Sequence, residues 1–454
     1  MDFLSINPYT HARLAALPGH DDARIERALE RAVRIARIWR EGGTAPRAAL
    51  LVEVARLLRE RQGAYAALMA QEMGKPIREA RAEVLKSAWV CEFYADHAAA
   101  MLADEVVTSD ATDSRVLYEP MGTVLGIMPW NFPFWQVLRA AAPILMAGNT
   151  FLLKHASNVP QCALVLESLF RDAGAPEGVF QTLLVRADRV AALVEDARVH
   201  GVTLTGSESA GRRVAAVAGG ALKPVVMELG GSDAFIVLED ADLDFTLDQA
   251  VRSRFQNAGQ SCIAAKRFIV HQTLADAFAE GLAGRMATLR QGDPMHEETD
   301  MGPLARADLR DEVLEQVRAS VREGAILRMG GVAIPGTHAS MQATLLTDVE
   351  PGMTAFDQEI FGPVASVTVA SDDMHALQLA NASRYGLGGS IWTRDVARGE
   401  ALARALECGA AFVNGMVRSD PRLPFGGVKA SGLGRELGVQ GLRAFTNIKT
   451  LWVG

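Results

Sequence analysis

Apolar residues recur at three- and four-residue spacing through 22–103, as at Ile25, Leu29, Ala32 and Ala36, in a background rich in Arg and Glu. This period predicts three amphipathic helices. From Arg115 to Trp130 the period shortens: RVLYEP and GTVLGIMPW are β-rich runs separated by Met121-Gly122, and Pro129 closes the second. A regular alternation then begins. FLLK (151–154), GVFQTLLV (178–185), GVTLTG (201–206) and PVVMEL (224–229) read as strands, with helices starting near Val159, Asp188 and Ser207 between them. Strand, helix, strand at this spacing predicts a parallel sheet with crossover helices. A second series follows, with strands AFIVL (234–238) and RFIVH (267–271), helices over 242–255 and 272–290, and later strands such as AFVN (411–414). The chain thus reads as α/β with two parallel-sheet units, whose boundary falls near Glu228 to Gly231, where the series changes. The tail beyond Gly438, with LRAFTNIKTLWV, is β-rich and aromatic and suits pairing with another element or another subunit. No fixed-period repeat, low-complexity tract or Pro/Gly/Ser linker interrupts the pattern.

Composition narrows the class. With 454 residues, 49% apolar and 22% charged, the chain is that of an ordinary globular protein with more than one core. No window approaches the roughly 18 uninterrupted apolar residues that span a bilayer, and the opening MDFLSINPYTHARLA lacks a basic segment followed by an apolar run. The expectation is a cytoplasmic protein without a membrane partner. A net charge of −8, with Arg and Glu interspersed, gives no footprint for nucleic acid. The four cysteines, Cys91, Cys162, Cys262 and Cys408, are widely spaced and form no C-x-x-C pair, which argues against a disulfide scaffold and against a metal site.

Three residue types carry candidate chemistry. Cys262 lies in QNAGQSCIAAKR, where small and polar residues replace the apolar period that would pack a cysteine into a core. That setting suits a nucleophilic thiolate. Cys91 in KSAWVCEFYA and Cys162 in NVPQCALVLESL instead fit the usual buried cysteine. Glu228 in VVMELGGSD ends an apolar strand just before two glycines, and the carboxyl edge of a parallel strand is where ligands bind in open α/β sheets. It is a candidate general base, or else a strand-terminal salt bridge. Asn131 in GIMPWNFPFWQVLR is an amide bracketed by Trp130 and Phe132 and stiffened by Pro129 and Pro133; a fixed side-chain NH2 is what an oxyanion hole requires, although a turn-forming Asn reads the same way. The chain has no G-x-G-x-x-G after a strand and no Walker-type loop. Gly206 and Gly211 in TGSESAG flank a strand-to-helix turn whose N-terminal N–H groups could face a pyrophosphate.

Over essentially its whole length the chain resembles the aldehyde dehydrogenase superfamily. The shared segments are P-W-N-F-P, the strand-end Lys154, G-S-x-x-x-G, E-L-G-G, G-Q-x-C, E-I-F-G-P-V (359–364), F-V-N (412–414) and P-F-G-G-V-K-x-S-G-L-G-R-E (424–436), in the family's order. The resemblance implies the aldehyde dehydrogenase fold, two Rossmann-like parallel-sheet domains plus a small β oligomerisation element. Residues 1–103 and 122–228 would form the NAD(P)-binding domain, 229–434 the catalytic domain, and 104–121 with 435–454 the element that joins copies into a homodimer or homotetramer. It further implies that Cys262 attacks the aldehyde, that Asn131 and the Cys262 N–H hold the oxyanion, and that Glu228 activates the water that hydrolyses a thioester. Lys154 and Glu359 would grip the cofactor riboses, Ser207 would lie near the pyrophosphate and Phe361 near the nicotinamide, with Trp130, Gly206, Gly211 and Leu229 completing the cofactor site.

Two departures shape the specificity it implies. Many NAD-preferring relatives carry Glu three residues after the strand-end Lys, whereas this chain has Ser157, which leaves a 2'-phosphate unopposed; both NAD and NADP are therefore expected. LLKHASNVPQCAL, ELGGSD and NGMVRSDPRLPFGG resemble the bacterial succinate-semialdehyde dehydrogenases. Arg139, Ser419 and Trp135 would then hold the substrate, Arg139 as a fork on its carboxylate. The cation that some relatives carry six residues before the nucleophile is Gln256 here, and Arg418 or Arg422 are the other cations that could stand in. Glutarate semialdehyde, a wider range of aliphatic aldehydes, and a cofactor-free thiol esterase are the alternatives.

Overall fold

Breakers cut the N-terminal helical run more often than its period shows. In the computed structural model, which describes residues 2–454, four helices stand where three are expected: Asp22–Glu41, Thr44–Glu60, Gln62–Met73 and Ile77–Met101. Gly42-Gly43 ends the first, and the left-handed Gly74 (φ 84°) followed by Lys75-Pro76 ends the third. A hairpin that the periodicity does not reveal, Asp2–Ile6 with Arg13–Pro18, precedes them.

The alternating series folds as two sheets. The first has six strands in the order Gly432–Leu433, Val225–Glu228, Val199–Thr205, Thr123–Met128, Thr150–His155 and Phe180–Thr182. All its pairings are parallel except that of Gly432–Leu433 on Val225–Glu228. The second has seven strands in the order Ile326–Met329, Thr344–Thr347, Val364–Ala370, Ala265–His271, Asp233–Val237, Gly388–Trp392 and Ala410–Val413. Only its first pair is antiparallel. Both sheets are covered on both faces, which is why their strands read as near-continuous apolar runs. Phe151 and Leu153 enter one core and Leu152 the opposite one, while Ala234 and Ile236 face away from Phe235 and Val237.

The outermost strand, Phe180–Thr182, is shorter than the expected 178–185, since an edge strand has one partner to order it. The helix expected from Asp188 is a short turn, Ala187–Arg189, continued by Val190–Glu195. A third sheet joins Thr446–Val453 to Asp113–Pro120 and Glu105–Val106, all antiparallel, and leaves Ile448 and Trp452 exposed. No helix among the described residues is long and apolar enough to cross a membrane.

From Thr123–Met128 the chain steps outward to Thr150–His155 and Phe180–Thr182, then crosses back to Val199–Thr205 and Val225–Glu228 on the other side. The order reverses beside Thr123–Met128, and a crevice opens outside the carboxyl ends of strands at such a point. Asn131, Lys154, Gly206 and Glu228 all lie at those ends.

Candidate active site

The nucleophile loop is built from backbone that few residues tolerate. After the helix Leu243–Phe255, Asn257 (φ 52°, ψ 36°) and Ala258 (φ 53°, ψ 35°) are both left-handed, which costs roughly 1–2 kcal/mol per residue for side chains other than Gly and Asn. Polar contacts over-determine this turn. Glu79 accepts the Asn257 N–H at 2.7 Å; the Asn257 Nδ2 donates to the Asn131 carbonyl at 2.8 Å; Gln260 Nε2 donates to the Asn257 carbonyl at 3.0 Å and its Oε1 accepts from Ala305 N–H at 2.8 Å. Lys266 Nζ donates to the carbonyls of Ser261 and Cys262 at 2.9 and 2.8 Å. Cys262 thus sits just before the amino end of Ala265–His271, half-buried, at a cavity of about 90 Å³. Burial pushes its thiol up to about 12, against the opposing fields of Arg139 and Lys266.

The Asn131 loop is held as firmly. Glu83 accepts the N–H groups of Phe134 and Trp135 at 2.9 and 3.0 Å and forms a buried ion pair with Lys75, whose ammonium lies 3.6 Å from the Phe132 ring centroid. His155, held neutral by burial with a pKa lowered to about 4, donates from Nε2 to the Pro133 carbonyl at 3.0 Å and accepts the Ala156 N–H at 2.9 Å. The Asn131 Nδ2 donates to the Gln260 carbonyl at 3.1 Å, which places the amide beside the nucleophile loop with a second N–H to offer. Nucleophile and oxyanion amide are therefore brought together.

Glu228 is buried at the end of Val225–Glu228, and neither carboxylate oxygen has a hydrogen-bond partner. Its Oε1 lies against Gly426, where a Cβ would come within 2.5 Å of it, and the residue does not line the Cys262 cavity. Burial, then repulsion from Glu436, drive its carboxyl well above the usual carboxylate range, with Arg139 and Arg435 opposing. Arg139 lines the Cys262 cavity, and its guanidinium is ion-paired with Glu436, is stacked 4.8 Å over the Phe425 ring and donates to Thr205 Oγ1 at 3.3 Å. Trp135 and Ser419 also line the cavity, together with Lys86, Gln256 and Arg418; Arg422 is bound to Asp420 at 2.6 Å.

A groove of about 670 Å³ runs between Val190, Val194, Leu204, Val214 and Val217, with Lys154 at its wall. Burial lowers the Lys154 pKa, and among the described residues no carboxylate pairs with it. An apolar slot with an unpaired ammonium fits an adenosine whose ribose or phosphate oxygens meet Lys154. Ser207 caps the helix Glu208–Gly220 by accepting the Ala210 N–H at 3.4 Å, and Ser157 is exposed beyond the end of Thr150–His155. Gly211 lets Leu229 pack on this helix, since a Cβ there would overlap the Leu229 side chain. Gly230 likewise leaves room for the Glu359 carboxylate, which accepts the Gly231 N–H at 3.1 Å and pairs with Lys266 at 3.3 Å. Trp130 meets Phe361 edge-on, with ring centroids 5.8 Å apart.

Sequence reasoning did not single out Glu79, Glu83, Lys86, Asn257, Lys266 or Glu436. Glu83 carried a signal, because it interrupts the buried stripe of Ile77, Ala80, Val84, Ala88 and Cys91 on its helix, where a charge needs a partner.

Comparison with known proteins bears on the whole chain. The model of the "Aldehyde dehydrogenase family" matches residues 1–451. A succinate semialdehyde dehydrogenase, NAD(P)+, of Escherichia coli (strain K12) is 49% identical over 451 residues, 99% of this chain and 97% of that protein. A succinate-semialdehyde dehydrogenase, NADP(+), of Mycobacterium ulcerans is 47% identical over 458 residues and 100% of both chains. The crystal structure of succinic semialdehyde dehydrogenase from Streptococcus pyogenes in complex with NADP+ superposes with a TM-score of 0.98 at 38% identity, covering 99% of each chain. With thiol and amide brought together at one loop and likeness running from end to end, this chain belongs to the aldehyde dehydrogenase family.

Proposed function

We propose that this protein oxidises succinate semialdehyde to succinate with NAD(P)+. The observation that carries the substrate is the Cys262 cavity itself, small and walled by Trp135, with Lys86, Ser419 and the exposed Arg418 about its lining. A short aldehyde with an anionic end suits it, and the relatives named above carry that substrate in their names.

Bound NAD(P)+ supplies the hydride acceptor, with Lys154, Ser157, Ser207 and Glu359 as the residues that would hold it, beside Trp130, Gly206, Gly211, Leu229 and Phe361. The chain's own groups do the rest. The Cys262 sulfur, once its proton is lost, bonds to the aldehyde carbon, and the carbonyl oxygen takes the negative charge. The Asn131 Nδ2 and the Cys262 N–H stabilise that oxyanion because the polar network has already fixed them. Loss of hydride from the carbon leaves a thioester on Cys262. Glu228, turning from Gly426 toward the cavity, takes a proton from water as the water attacks, and the tetrahedral centre expels the Cys262 thiolate and leaves the acid. Arg139, which pairs with Glu436 at the cavity wall, would meet the substrate's anionic end together with Ser419, with Trp135 along its stem. The first sheet is the cofactor-binding unit, the second the catalytic unit, and the sheet of Asp113–Pro120 and Thr446–Val453 the face through which copies pair.

The test is oxidation of succinate semialdehyde against butyraldehyde, which has the same carbon number, each with NAD+ and NADP+. The expected preference in kcat/KM for the semialdehyde is about 30-fold or more, the worth of one charged hydrogen-bonded contact. Equal values would overturn the substrate reading. For the cofactor, Ser157→Glu is expected to raise the KM for NADP+ about 100-fold relative to that for NAD+, because a carboxylate there faces the 2'-phosphate. Steady-state KM values for the two cofactors check it.

A further inference from the structure

The stretch 359–363, between the helix Thr354–Asp357 and the strand Val364–Ala370, is neither helix nor strand, and Pro363 gives it no N–H. Its residues alternate in what they face. Glu359 and Phe361 send their side chains to Lys266 and Trp130. The carbonyls of Ile360 and Gly362, with that of Val364, go instead to one side chain, Arg254, near the end of the helix Leu243–Phe255. The Arg254 Nε donates to the Val364 carbonyl at 2.6 Å, and its Nη2 donates to Ile360 at 3.0 Å and to Gly362. Arg254 is fully buried, and among the described residues its Nη1 has no acceptor. We propose that Arg254 is a positioning residue for hydride transfer: by gripping the carbonyls of this loop it sets Glu359 and Phe361 against the nicotinamide end of the cofactor. This rests on the assignment of Glu359 and Phe361 to the cofactor above.

A buried guanidinium is costly unless other groups replace its hydration. Here those groups are neutral carbonyls, and Glu359 is the one carboxylate whose field supports the charge, against burial that lowers the pKa of Arg254 to about 9. An apolar side chain would fill the same space without that cost, but it would release the loop. The planar fork is what lets a single residue hold three carbonyls. The Glu359 carboxylate has anchors of its own, the Gly231 N–H and Lys266. The Phe361 ring meets Trp130 only edge-on and lies 6.0 Å from the Lys266 ammonium, so its place depends on the backbone on either side of it, the two carbonyls that Arg254 holds. The packing leaves that backbone no slack. A Cβ on Gly259 would come within 2.4 Å of the Gly362 oxygen and 3.1 Å of Arg254 Nη2, and one on Gly362 within 2.9 Å of the Val313 side chain.

Three measurements on Arg254→Met test the role, two of them without cofactor. Amide hydrogen exchange over 359–364 is expected to quicken about 10-fold or more, as when a charged hydrogen bond is lost. The rate at which iodoacetamide alkylates Cys262 is expected to stay at its wild-type value, because the turn at Asn257 keeps its bonds to Glu79 and Gln260. With NADP+ and succinate semialdehyde, reduced nicotinamide should appear about 100-fold more slowly in the first turnover, the cost of a displacement of about 1 Å in a reacting geometry. Arg254→Lys keeps a buried cation but has no fork; it serves if the methionine variant fails to fold, and should lose about 10-fold in the same rate. Wild-type exchange or wild-type hydride transfer in either folded variant would overturn the proposal. So would alkylation that changes as much as hydride transfer, since Arg254 would then support the fold at large. Glu359→Gln, measured alongside, separates the two readings. If it keeps the wild-type cofactor KM and hydride rate, the cofactor assignment of the loop fails; if it is impaired and Arg254→Met is not, only the role of Arg254 fails.

Discussion

Cys262→Ala is expected to lower turnover by about 10⁵-fold or more, the scale seen when a covalent nucleophile is removed, with cofactor binding retained. The loss is this large because no other thiol can substitute. Cys91 and Cys162 are buried in the core, and Cys408 lies in a separate recess beside Asp233 and Leu387. Cofactor titration by protein fluorescence, run beside the rate assay, separates lost chemistry from lost fold. The same thiol carries a pH signature. Since burial holds it near 12 without cofactor, its alkylation by iodoacetamide should be slow at neutral pH and keep rising through pH of about 10. A plateau near neutrality would show a thiolate already formed and would contradict the enclosure described for the loop.

Glu228→Gln should separate the two halves of the reaction. Thiol attack and hydride loss need no carboxylate, so reduced cofactor should appear in a burst equal to the number of active sites, and steady turnover should then fall by about 10²–10⁴. Rapid-mixing absorbance of the reduced nicotinamide reads both phases. The wild-type pH profile carries the matching sign. A base works only when ionised, and burial with the nearby Glu436 keeps Glu228 protonated well above the usual carboxylate range. Deacylation should therefore accelerate as pH rises through that raised value, and Glu228→Gln should lose the dependence. A variant that turns over steadily without a burst would remove Glu228 from the hydrolytic step.

Much of this was legible along the chain, because strands buried on both faces announce themselves as apolar runs and small polar residues around Cys262 set it apart from the core cysteines. The order of strands, and with it the place of the crevice, comes only from the fold. Arg139 shows where such reading stops. The chain shows an Arg on a helix near the Asn131 loop, but not that the fold brings Glu436, from the far end of the chain, against its guanidinium at the cavity wall. Lys86 is another case, one charge among many on a long helix, and only the packing of Trp135 and Ser419 distinguishes it from a solvated lysine. The left-handed pair Asn257-Ala258 has no sequence marker, since the contacts that hold it come from Glu79 and Asn131.

The antiparallel addition of Gly432–Leu433 to Val225–Glu228 means that a late stretch of chain completes a sheet begun much earlier. On the ribosome the first sheet must wait with that edge open. About 200 residues separate the two strands, on the order of 10–40 s of synthesis at about 5–20 residues per second. Throughout that interval the outer edge of a strand of Val, Val and Met is offered to any neighbouring nascent chain, the kind of edge that nucleates aggregation. Expression of this protein should thus depend on chaperone supply and translation speed more than its final burial suggests, and Glu228, at the tip of that strand, is set in place only when the last residues are released.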